Sequence, residues 1–166
     1  MLLPDSDPDA HAEILQNPLV RGDAEWSTPN AAFLAWLERI GVPSQLRSLL
    51  GLGLPEDPVD FRFWRLSVPD QIMRAEEEDA ALLTAKLLPV GSCLCGDPIV
   101  LDFREPLLGA VGFVSHEEYW GSDGEDPREF VRYVSFDWTA FLVGIAKEAL
   151  PIDAGGMWSE ENCGLE

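Results

Sequence analysis

Between Lys86 and Val114 the chain changes its hydrophobic period, and that change constrains the fold more than any other feature. Leu87 to Val90, Pro98 to Phe103 and Ala110 to Val114 are short apolar runs separated by turns bearing Gly, Pro and Asp, the pattern of an antiparallel meander. In the second run Ile99, Leu101 and Phe103 share one face while Asp102 and Arg104 take the other, as strand pleating requires. Phe130 to Val134 adds a strand beyond the polar loop 121–127. Upstream, Val59 to Leu66 is read as one half-buried strand with Val59, Phe61 and Phe63 on a common face.

Helical spacing brackets these strands. Thr28-Pro29-Asn30 offers a helix start, Phe33, Leu37 and Ile40 recur at helical intervals, and Gly41 ends the segment. Pro43-Ser44 opens a short second helix, Gln45 to Leu50, which Gly51-Leu52-Gly53 stops. Ser67 reads as the cap of a helix containing Ile72 and Met73, with Asp70 at the capping-box position. Its far end meets the acids Glu76, Glu77, Glu78 and Asp79, which form a solvated face or a break between two helices. Ser135 reads as the cap of a closing helix whose Trp138, Phe141, Leu142, Ile145 and Ala149 make one apolar stripe, closed by Pro151. The expected fold is therefore α+β: a mainly antiparallel meander sheet, helices packed on one side, and a closing C-terminal helix.

At 166 residues the chain has the size of one domain. Residues 1–27, rich in Pro, Asp and small polar side chains, read as an N-terminal extension outside the core, with only Ala12 to Leu15 capable of helix; residues 28–150 form the domain; residues 151–166 read as a mobile acidic tail. Trp36, Trp64 and Trp138 sit in periodic segments and are expected in the core, whereas Trp26 and Trp158 lie outside residues 28–150 and either contact a partner or cover the domain.

The charge is −19, from 30 acids against 11 bases. Such a surface repels phosphate backbones and anionic headgroups, which excludes direct nucleic-acid and membrane-surface binding. Residues 1–83 carry −9 (15 acids, 6 bases) and residues 84–166 carry −10 (15 acids, 5 bases), so the acidity surrounds the whole body. It serves solubility or steers a basic partner. The start of the chain has no basic leader, and the three cysteines are an odd set; with no apolar run near the roughly 20 residues a membrane helix needs, the expectation is a cytoplasmic protein with reduced thiols.

Catalytic and metal constellations are thin. Cys93-Leu94-Cys95 with His116 would supply metal ligands, but the spacing is short of structural zinc pairs and a fourth ligand falls to Cys163; no metal or cofactor is expected. His116-Glu117-Glu118 lacks the second His of a zincin helix, and neither a Gly-x-Ser-x-Gly elbow nor a phosphate loop is present. Asp97 with Asp102 is the best carboxylate pair for a hydrolase, yet Gly96-Asp97-Pro98 reads first as a turn. The composition of a binding surface is more evident: Tyr119 and Trp120 as aromatic anchors, with Glu117, Glu118, Asp123, Glu125 and Asp126 as charges able to meet Lys or Arg. The competing reading has Trp120 folded back over the sheet and the acids solubilising a loop. Glu76 to Asp79 is a second acidic candidate.

Leu88-Pro89-Val90-Gly91 leading to Cys95-Gly96-Asp97-Pro98-Ile99-Val100-Leu101-Asp102-Phe103, then Gly109 to His116, then Val134-Ser135-Phe136-Asp137-Trp138-Thr139-Ala140-Phe141-Leu142 follow in an order that resembles the SUKH superfamily of immunity and scaffold proteins. The likeness covers about residues 28 to 150; the Val42-Pro43 and Gly51-Leu52-Gly53 frame of the short helix departs from the family's Leu-Pro and Asn-Gly. What the resemblance implies is a non-enzymatic intracellular bacterial protein that binds and neutralises a cognate polymorphic toxin through a protein interface. A basic nuclease effector would suit the acidity. A scaffold or regulatory module of the same fold is the alternative.

Overall fold

The computed structural model describes residues 7–61, 64–93, 96–120 and 123–147. The fold is α+β, built on a six-stranded sheet in which every neighbouring pair is antiparallel and the strands lie in chain order. These are β3 (Val59–Phe61), β4 (Trp64–Leu66), β5 (Leu87–Cys93), β6 (Pro98–Asp102), β7 (Val111–Val114) and β8 (Val131–Ser135). Two short strands, β1 (Trp26–Ser27) and β2 (Leu54–Pro55), pair separately.

Helices α1 (Pro8–Leu15), α2 (Pro18–Arg21), α3 (Ala31–Arg39), α4 (Ser44–Leu52) and α9 (Trp138–Ala146) bury their apolar stripes together with one face of the sheet. Phe33, Trp36, Leu37, Leu46 and Leu50 meet Trp64, Leu66, Ile99, Leu101 and Phe113 there, and Trp138, Phe141 and Leu142 of α9 close the cluster. Trp138 stacks on Phe141, whose ring meets Trp64 edge-on. The expected core placement of Trp36, Trp64 and Trp138 matches the structure. The opposite face carries a smaller cluster, Leu87, Val100, Val114 and Val131 under Leu82. Leu82 comes from α7 (Ala80–Thr84), which follows α5 (Pro69–Met73) and α6 (Ala75–Glu78); the acids Glu76 to Glu78 stand exposed on α6 and Asp79 marks the break before α7. Because both faces are covered, β6 and β7 are buried almost throughout.

Four expectations are corrected. Within the expected extension 1–27, the described residues 7–27 are not outside the core: Leu15 and Val20 are packed within the main cluster, and helix extends from Pro8 through Leu15 with Asp7 capping it. Val59 to Leu66 is two strands, folded back so that Phe61 pairs with Trp64; Phe63 lies outside the described residues. The α5 cap is Val68, whose N–H is accepted by Gln71 Oε1 at 3.2 Å, so Ser67 stands one residue too early. The α9 cap is Asp137, accepting the Ala140 N–H at 2.7 Å, while Ser135 Oγ donates to the Asp137 carbonyl. Ala149, Pro151, Trp158 and the 151–166 tail lie outside the described residues, as do Cys95 and Cys163.

One glycine is required by packing. At Gly91, next to the register shift in the β5–β6 pairing, a Cβ would sit 2.2 Å from the Arg65 carbonyl oxygen, far inside contact distance. Among the described residues no helix is long and apolar enough to cross a membrane.

Candidate functional site

The anticipated interface starts where β7 ends. In an antiparallel meander the residue before β6 and the residue after β7 lie at the same end of the sheet, so Asp97 and His116 become neighbours. Asp97, nearly buried, accepts both the His116 backbone N–H (2.9 Å) and His116 Nδ1 (2.5 Å) on one carboxylate oxygen. Nδ1 facing a carboxylate must carry the proton, leaving Nε2 as the ring's other polar atom. Asp97 is itself fixed by its N–H to Cys93 Sγ (3.2 Å) and by its carbonyl, which accepts from the Cys93 N–H. These bonds pin the first residue of α8 (His116–Trp120) to the β5–β6 turn.

From that anchor α8 divides its side chains. Tyr119 turns inward, packing with Phe130 (centroids 6.1 Å) over the smaller core cluster. Trp120 turns outward: it is 70% exposed, and its ring meets His116 edge-on at 5.3 Å. Of the two expected anchors, one is therefore available and the other is partly absorbed by the fold. The alternative in which Trp120 covers the sheet is contradicted by its exposure. Glu117 and Glu118 are exposed, Glu118 lying 3.7 Å from Arg132. Asp123, Glu125 and Asp126 are exposed too, but Asp126 also caps the 3-10 turn Pro127–Phe130 by accepting the Arg128 N–H.

That turn is tied down by a network the sequence did not reveal. Arg128 reaches across the second face of the sheet, donating through Nη1 to the Ala85 carbonyl (2.6 Å) and through Nη2 to Asp102 (2.5 Å). Asp102, wholly buried, also accepts the Tyr133 hydroxyl (2.6 Å) and the Arg104 N–H (3.0 Å). Burial first, and then the bond to Asp102, pushes the Tyr133 phenol above its ordinary range. A buried carboxylate is tolerable only when so matched. Asp97 and Asp102 are thus each engaged by separate partners, His116 in one case and Arg128 with Tyr133 in the other. Each positions a structural element beneath the acidic surface. Cys93 is buried with its sulfur against the Asp97 N–H.

The signal for Asp97 with His116 was present in the strand order, since a meander fixes which turns are neighbours. Arg128 with Asp102 had none, because a 26-residue separation across an irregular loop has no periodicity to read. Comparison with known proteins gives no match, whether to a family model, to a curated protein or to a solved structure.

Proposed function

We propose that this chain is a non-enzymatic binding protein of the SUKH type, an immunity protein that neutralises the basic effector domain of a bacterial polymorphic toxin by covering its working surface. The observation that supports this reading best is the outward Trp120 on a braced helix, flanked by exposed Glu117, Glu118, Asp123 and Glu125. An exposed aromatic within a mainly acidic rim is the composition of an anchor site for a cationic protein. The charge of −19 adds long-range attraction, raising the encounter rate with a basic domain. Asp97 and Arg128 serve that surface by holding its two ends in place, which lowers the ordering cost of binding.

Co-expression with the effector domain of any polymorphic toxin encoded beside this protein tests the reading. Rescue of growth, co-purification, and at least a tenfold loss of affinity in Trp120→Ala are the expected results. Absence of both rescue and co-purification would refute it. Replacing Asp123 and Glu125 by Asn and Gln is expected to slow association and flatten its salt dependence; unchanged kinetics would place the interface elsewhere.

A further inference from the structure

Far along the chain from α8, the β1–β2 pair and the first turns of α3 and α5 enclose an open groove of about 330 Å³. Its apolar lining is buried Pro29, Leu54 and Pro55 with half-buried Pro69, and exposed Glu56 and Asp70 supply its charge. Among the described residues no basic side chain lines it. Nearby exposed bases are engaged by other acids: Asp60 holds Arg65, Glu76 holds Arg39, and Arg47 lies near Glu38. Glu56 and Asp70 have no ion pair or side-chain hydrogen bond among the described residues. Arg65, the base carried by neighbouring β4, is already held by both oxygens of Asp60.

We propose that this groove docks an arginine side chain of a partner polypeptide, its aliphatic stem against the proline and leucine surfaces and its guanidinium on Glu56 and Asp70. The combination of apolar walls and unmatched carboxylates calls for an occupant with a hydrocarbon stem and a cationic end. Arginine suits it better than lysine because the guanidinium is planar, weakly hydrated and able to lie on flat apolar surfaces, whereas an ammonium keeps its water. The site is separate from the α8 surface and stands whether or not the partner is a toxin.

Nuclear magnetic resonance of the full chain titrated with Nα-acetyl-arginine amide tests the proposal. Saturable shifts confined to residues 27–30, 54–56 and 68–70 are expected. The neutral isostere Nα-acetyl-citrulline amide should give at least tenfold weaker binding, and the lysine and putrescine counterparts should also bind more weakly. Glu56→Gln with Asp70→Asn should lower arginine affinity at least tenfold while the spectrum stays dispersed; Glu117→Gln with Glu118→Gln should leave it unchanged. Shifts scattered over the acidic surface, equal binding of citrulline or putrescine, or undiminished binding in the first double variant would each overturn it.

Discussion

His11 sets a specific pH dependence. Its ring is wholly buried, Nδ1 lies 2.7 Å from Thr139 Oγ1 on α9, and Nε2 has no partner among the described residues. Burial pushes its pKa from 6.5 down to about 4, against the pull of Asp137. Above pH 6.5 the ring is neutral in folded and unfolded chains alike; between 6.5 and 4 only the unfolded chain takes up the proton, so stability falls with acidification across that window. The expected loss from this group is roughly 2 to 3 kcal/mol. Urea unfolding at the two ends of the window should show it, with His11→Gln losing that part of the slope; equal slopes would reject the assignment. Asp102→Ala is the other residue-scale test. Stranding the buried Arg128 guanidinium is expected to cost about 3 to 5 kcal/mol, read by chemical denaturation, with Tyr133→Phe milder. Neither residue was recognisable for this role in the sequence: Asp102 alternates correctly onto the second face of its strand, but only the covering turn shows why a charge is accepted there.

Elements were legible where period and punctuation agreed. Phe33, Leu37 and the Gly41 stop gave α3, and the apolar runs after Lys86 gave β5 to β7 within a few residues. The β3–β4 hairpin was missed because Val59-Asp-Phe-Arg-Phe-Trp-Arg-Leu66 contains no Gly, Asn or Pro to mark a fold-back. Both cap assignments went to the serine; at α9 Asp137, two residues further on, takes the Ala140 N–H instead, and at α5 it is Gln71 that reaches back to the Val68 N–H. Asp137→Ala should therefore lower stability by about 1 kcal/mol, while Ser135→Ala costs less; a thermal melt of the pair distinguishes them. Gly91→Ala is expected to be worse than either, on the order of 1 to 3 kcal/mol, because β4 must move to admit the methyl group. A melt unchanged by that substitution would mean that the close β4–β5 approach is absent in solution.

At the scale of the molecule, a body carrying −19 repels itself. Stability is expected to rise as salt increases toward roughly 0.5 M, where the Debye length falls to a few ångströms, while association with a basic partner slows over the same range. The two trends have opposite sign, so measuring both separates self-repulsion from steering. Whole-molecule packing was the least legible level. Ile14-Leu15 and Leu19-Val20 are short apolar pairs in a polar, proline-bearing stretch, and nothing local to them announces a cleft waiting between α4 and α9. The hydrogen bond from His11 to Thr139 joins positions 128 apart, and it carries a temporal consequence. On the ribosome α1 emerges well before α9, so the hairpins of the sheet can zip up in succession while the seam between His11 and Thr139 closes only after α9 has followed them out.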